Sequence, residues 1–341
     1  MFTKSNIFLA TLFCLLLAGL SISYAFAPDF LLSDKTIVAF GADADQNKPQ
    51  PIWDTILSLN PDIFLFLGDN VYIDSGNEKI MRAQYKKLAD IAGYQALIER
   101  KIPIMATWDD HDYGKDDAGG EFFAKEKSER VFLDFFGEPI GSPRRLQKGI
   151  YDAKIFGTEG RRVQIISLDM RYFRSSKTLL GEAQWQWLEE ELQKQAEVRI
   201  IMSSIQVITK DNGWENWENN PHERDRLFDV IRKTNANGVI IVSGDRHFGE
   251  LSAMNASIGY PLYDVTTGSF NKAVKKFPDE KNLYRMDKNT ENNESFGLIT
   301  IDWGIFTAPQ LLLEIKDLAG NSTITRKISL TTLQRGVLPL N

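Results

Sequence analysis

Residues 64–72 read FLFLGDNVY. With Ile63 they form an apolar run, IFLFL, that breaks off at Gly68, Asp69 and Asn70 and meets Tyr72 one step after Val71. A continuous apolar run of this length, closed by glycine, fits a strand buried on both faces, as the central strands of a parallel sheet are. The same design recurs along the chain. TIVAF (36–40) runs into Asp43 and Asp45, and IPIMA (102–106) into Asp109, Asp110, His111 and Asp112. VQIISL (163–168) runs into Asp169 and Arg171, and GVIIVS (238–243) into Asp245, Arg246 and His247. VRIIMSS (198–204) is a further run. Between most of them lie helical periods, at 51–59, 78–100, 181–195 and 223–233. Strand–helix alternation of this kind predicts an α/β fold with a parallel core and helices packed on it. The last part, 298–303 and 311–330, drops the helices and reads as antiparallel strands, with Gly320-Asn321 turning one hairpin.

In open α/β sheets, ligands sit just beyond the carboxyl ends of the strands. Five strands that deliver acids to one edge create repulsion unless something positive sits among them. Leaving buried carboxylates unpaired costs on the order of several kcal/mol each, so cations are the expected partners. Aspartate, tyrosine and histidine without thiolate suit hard or borderline ions. Each residue taken singly has a plainer reading. Gly68-Asp69 can be a tight turn and cap, Tyr72 can be packing, and His111 and His247 can be satisfied structural histidines. The set carries the inference: two of the three histidines and the densest acid clusters all fall at strand exits.

Composition bounds the rest. The chain has 341 residues and a formal charge of −6, which argues against a nucleic-acid binder. Lys4, the apolar stretch 7–20 and Ser23-Tyr24-Ala25 predict a cleaved signal peptide over 1–25, with a membrane anchor as the alternative. The only cysteine, Cys14, falls inside that leader, so the remainder carries no thiol and tolerates an oxidising compartment. No twin-arginine pair precedes the apolar run, which favours export unfolded and a secreted or periplasmic location. No Ser/Gly/Pro-rich linker or repeat divides the chain, so a single domain over 34–333 is expected, with no stable membrane anchor after cleavage. The segment DNGWENWENN (211–220) places Trp214 and Trp217 in an acidic loop that can roof a site or simply pack.

In this order, Asp43-Ala44-Asp45, GDNVY (68–72), WDDHD (108–112) and GDRH (244–247) resemble the calcineurin-like metallophosphoesterases. FGADADQNKPQPIWD (40–54), WDDHDYGKDDAGG (108–120) and LDMRYFR (168–174) are similar more narrowly to the PhoD-like alkaline phosphatases. The likeness covers roughly residues 36 to 270. It implies a four-layer metallophosphatase sandwich, two mixed β-sheets flanked by helices, and hydrolysis of phosphomonoesters or phosphodiesters. It further implies two metal ions: Asp43, Asp69, Tyr72 and His247 around the first, Asp69 bridging, and Asp110 and Asp245 around the second, with Gln206 a possible further ligand. The first ion would be iron or another transition metal, and the second calcium, magnesium, manganese or zinc. His111 would stay off the metals and assist the leaving group, Asp112 would orient it, and Arg171 would bind phosphate. One departure is GADAD, where the PhoD-like pattern has a cysteine at the position of Asp43; the harder ligand weakens the case for iron. A non-catalytic head-group binder and a serine hydrolase built on Ser203 or Ser243 are the competing readings, although no G-x-S-x-G turn is present.

Overall fold

Residues 33–210, 213–274, 280–304 and 307–336 are described by a computed structural model; the expected leader and Cys14 lie outside them. The chain runs through β1 (Lys35–Gly41), α1 (Ile52–Ser58), β2 (Ile63–Leu67), α2 (Glu78–Ala89), α3 (Ala92–Glu99) and β3 (Ile104–Thr107). A single turn, α4 (Asp110–Tyr113), and α5 (Lys125–Phe135) lead to β4 (Asp152–Phe156) and β5 (Val163–Ser167). Then come α6 (Gly181–Gln193), β6 (Val198–Ser203), α7 (Pro221–Lys233) and β7 (Val239–Ser243). The rest is strand: β8 (Gly249–Met254), β9 (Leu262–Thr266), β10 (Arg285–Glu291), β11 (Ser295–Asp302), β12 (Gln310–Asp317) and β13 (Ser322–Ser329).

These strands form two mixed sheets. One has the order β13-β12-β11-β1-β2-β3, the other β10-β8-β9-β7-β6-β5-β4. In the first, β1, β2 and β3 are parallel and the C-terminal strands antiparallel, as the change in pattern predicts. In the second, β5, β6, β7 and β9 are parallel. All five residues of β2 are buried, and the pleat divides them between two cores. Ile63, Leu65 and Leu67 join Ile165, Ile201 and Ile241 of the facing sheet. Phe64 and Phe66 join Trp53, Met81, Leu97 and Phe132 from α1, α2, α3 and α5 on the outer side. Trp185 and Leu188 of α6 and Leu227 and Ile231 of α7 pack with the second sheet. The order is helix, sheet, sheet, helix. Each large apolar side chain taken fully from water contributes roughly 1.5–3 kcal/mol, so the doubly buried strands are firmly anchored in the core. Their ends are the best place to fix a ligand.

The helical period at 78–100 is two helices, not one. Ile91 is extended (φ −73°, ψ 123°) and breaks the run between α2 and α3. The break lets Gly93 press on Trp53, where a Cβ would come within 2.2 Å of the indole.

Candidate metal centre and active site

Two close approaches bring the strand ends together. Gly68, just after β2, has φ +107°, and a Cβ on it would meet the Asp109 Cβ at 2.7 Å and the Ser204 Cβ at 3.1 Å. Only glycine fits there on both counts. Gly244, just after β7, lies so near Ala42 that a Cβ would sit 2.8 Å from that side chain. Backbone hydrogen bonds tie the same loops: Ala44 N–H donates to the Asp69 carbonyl (2.9 Å) and Gly244 N–H to the Ser204 carbonyl (3.1 Å). The Ser269 hydroxyl donates to the Asp43 carbonyl (2.9 Å), joining the exits of β1 and β9 across the two sheets.

At this seam four expected ligand residues adopt left-handed backbone: Asp43 (φ 55°), Asp69 (φ 48°), Asp245 (φ 69°) and His247 (φ 58°). Aspartate and histidine tolerate that region better than most residues, yet each instance costs on the order of 1–3 kcal/mol and persists only where its surroundings enforce it. The strained turns bring the side chains together. Ligand atoms of Asp43, Asp69 and His247 lie within 4.8 Å of one another, and so do those of Asp69, Asp110 and His111. Asp69 is common to both groups. Asp245 lines the same cleft, outside either group.

The electrostatics call for a cation. Asp43 is fully buried and neither of its carboxylate oxygens has a hydrogen-bond partner. The His247 Nε2 stands 3.7 Å from Asp43. The other ring nitrogen, Nδ1, is 2.7 Å from the Lys272 carbonyl, which can only accept, so Nδ1 carries the hydrogen and Nε2 is left with its lone pair toward Asp43. The Tyr72 hydroxyl is likewise buried without a hydrogen-bond partner. Burial, with the Asp69 and Asp43 carboxylates beside it, pushes that phenol well above its ordinary value. Burial and the neighbouring Asp110, Asp109 and Asp43 push Asp69 well above the carboxylate range. Burial together with Asp109 and Glu215 does the same to Asp245. Crowded buried acids, one of them without any hydrogen-bond partner, together with a phenol and an imidazole lone pair around one space, fit divalent or trivalent cations, whose charge favours the ionised form of the acids.

His111 stands on α4, whose first turn is closed by Asp109 and Asp112 in a capping box. Its backbone N–H reaches an Asp69 oxygen at 3.3 Å, and its Nδ1 is 2.7 Å from the Asp74 carboxylate. Asp74 therefore stands at the His111 ring, where the sequence suggests Asp112. The Asp112 carboxylate instead accepts from the Asn70 side chain (2.6 Å) and the Asp109 N–H (2.5 Å), as a buried brace beneath the loop. Arg171 is also beneath the floor rather than in the cleft. It is fully buried, with Nε 2.6 Å from Asp109 and its terminal nitrogens on Glu215, so its donors are committed to carboxylates and not turned to a phosphate. Arg174, three residues on, does line the cleft and also pairs with Glu215. Gln206 is in neither ligand group, and its amide donates to Glu250 and to Thr266. His222 sits at the Lys177 carbonyl, 3.0 Å away. Ser203 and Ser243 are fully buried, with hydroxyls on the Ile205 carbonyl and on Asp264, and neither meets a histidine there. Asp74, Glu215 and Arg174 carry no signal in the sequence beyond being polar, although Arg174 lies in the LDMRYFR stretch.

The cleft above these residues has a volume of about 880 Å³. Two facing mixed sheets, helices outside and an acid-lined cleft at one end of the strands make this a metallophosphatase fold. PhoD has it, with a TM-score of 0.67 at 18% identity over 89% of this chain and 73% of that one. Purple acid phosphatase PPD1 from yellow lupin (Lupinus luteus) seeds has it too, with a TM-score of 0.62 at 16% identity over 87% of this chain and 54% of that one. A dimetal phosphatase from Danio rerio matches with a TM-score of 0.52 at 12% identity, over 86% and 99% of the two chains. A search of curated proteins finds no sequence match. The chain belongs to the PhoD-like phosphatase family, whose profile matches residues 41–295. As a member it is a metal-dependent phosphoric ester hydrolase.

Proposed function

We propose that this is an exported phosphoesterase working with two metal ions. The observation that carries the reading is the sharing of Asp69 between two tight ligand groups, as a bridging carboxylate would be shared. Asp43, Asp69, Tyr72 and His247 would hold the first ion; Asp69, Asp110 and Asp245 would hold the second. A phenol and an imidazole suit a transition metal at the first position. The all-oxygen second set suits a harder ion such as calcium, magnesium or manganese, with zinc also open. When bound, such ions polarise phosphoryl oxygens and lower the pKa of a bound water.

The chain's own residues supply the remainder. His111, with Nδ1 facing Asp74, presents Nε2 toward the cleft and can pass a proton to the departing oxygen. Arg171 and Asp112 hold the floor: the guanidinium neutralises Asp109 and Glu215, and Asp112 fixes the loop that carries Asp69 and Asn70. No side chain of the chain needs to be phosphorylated. The substrate is a small phosphate ester. Export rests on the apolar stretch 7–20 and the small residues that follow it; among the described residues no helix is long and apolar enough to cross a membrane.

The test is phosphate release from a panel of mono- and diesters by metal-reconstituted protein, run beside elemental analysis of the purified chain. Two equivalents of metal and chelator-sensitive release support the proposal. One equivalent, or release that survives chelation, overturns the dinuclear reading.

A further inference from the structure

The cleft is larger than phosphate chemistry requires. Its volume of about 880 Å³ falls among sites that enclose whole drug-sized ligands, leaving room beyond the phosphate for a leaving group. One wall of that space is Trp214, which is 56% exposed, whereas Trp217, three residues on, is fully buried with its Nε1 donating to the Ser203 hydroxyl at 3.0 Å. The same short segment thus anchors one indole and presents the other to the cleft.

Trp214 is held in place from several sides. Its carbonyl accepts from the Asn216 amide (2.9 Å) and the Asn219 amide (3.2 Å). The next residue, Glu215, pairs with Arg171 and Arg174. The Arg246 guanidinium lies 5.1 Å from the Trp214 ring centre and 5.4 Å from that of Phe248, and is clamped by both oxygens of Glu280 at 2.7 Å. Arg246 sits between Asp245 and His247, so this layered cation and its two rings grow from the same turn as the proposed metal ligands.

Resting on the phosphoesterase reading, we infer that Trp214, backed by Arg246, is a stacking platform that selects phosphate esters whose leaving group carries a flat, uncharged aromatic ring, nucleoside monophosphates foremost. An ordered indole accepts the face of a base without any hydrogen-bond match and at small entropic cost. Asp116 and Asp117, which line the same cleft, disfavour a leaving group that brings further negative charge.

The test compares 5′-AMP with glycerol 2-phosphate on metal-loaded protein. In Trp214→Ala the ratio of the two kcat/KM values falls about tenfold, mainly through a higher KM for AMP, and Trp214→Phe restores most of it. An equal loss on both esters, or none, overturns the platform. Calorimetric titration reads the same feature without turnover. A non-hydrolysable phosphonate analogue of AMP binds the wild-type chain about tenfold more tightly than methylphosphonate does, and Trp214→Ala abolishes the difference. Equal affinities in the wild type sink the platform even if both esters are hydrolysed. If neither ester is turned over but the affinity difference stands, it is the phosphoesterase reading that fails and the platform that survives.

Discussion

Asp69 lies among four other buried acids that repel it, Asp110, Asp109, Asp43 and Asp112. Burial and the acids on neighbouring loops push its carboxyl well above the ordinary carboxylate range, so ionising it there without a cation is costly. Replacing it by asparagine keeps a residue at home in left-handed backbone while removing a carboxyl whose ionisation there is costly. Asp69→Asn is therefore expected to lose measurable turnover yet melt, when stripped of metal, no lower than the wild type; near-normal activity would refute the shared-ligand role. His111 is the second test. His111→Ala should lower kcat by roughly 10²–10⁴-fold with metal content unchanged by elemental analysis. A loss of metal would make it a ligand, which its place beside Asp69 and Asp110 permits. Asp74→Asn should give a smaller drop of the same kind. The proposed ligand acids are legible because an apolar strand that ends in a carboxylate is chemically anomalous. Asp74 is not, since an exposed aspartate in a loop looks like any other. Nor could the sequence say that Arg171 would face inward and Arg174 the cleft; two arginines three residues apart are told apart only by what packs over them.

The elements show the same division. β1, β2, β5, β6 and β7 are readable as continuous apolar runs because both their faces are covered. At the two edges of the second sheet, β4 (DAKIF), interrupted by Lys154 and with no residue fully buried, and β10 (RMDKNTE), with Met286 as its one apolar residue, do not announce themselves. The join between α6 and α7 was invisible for another reason. Glu223, near the start of α7, accepts from the Thr178 hydroxyl (2.8 Å), the Leu179 N–H (2.8 Å) and the Trp185 indole N–H (3.0 Å), and such partners have no sequence signature. Glu223→Ala leaves these donors unpaired and should destabilise the fold by about 3 kcal/mol, equally with and without metal, as read by denaturant unfolding. On α5, burial and the nearby Asp169 push Glu129 up to about 7. A carboxyl whose folded pKa is raised favours the folded state most at pH below its unfolded value, near 4.5, and loses that contribution as pH rises through about 7. Glu129→Gln cannot ionise. Its Tm relative to the wild type should therefore rise between pH 5 and pH 8; a flat difference would show that the carboxyl is already ionised at the lower pH.

At the scale of the molecule, the proposed cations would act on stability as well as chemistry. Ions that bind only the folded chain add about 2.7 kcal/mol at a free concentration one hundred times Kd. Chelation should lower Tm and abolish phosphate release together, and a transition metal, rather than calcium alone, should restore both. If added calcium alone restored full activity, the transition-metal assignment at the first site would be wrong. The seam where Gly68 and Gly244 let the loops meet has one more consequence. Asp43, Asp69 and Asp110 leave the first sheet, and Asp245 and His247 leave the second. A cation held by both sets would be a rivet through two plates. Anything that lets the plates shear, such as a void opened by Leu65→Ala deep between them, would then be felt at the rim as a faster escape of the ion, so the centre doubles as a strain gauge for the far interior of the protein.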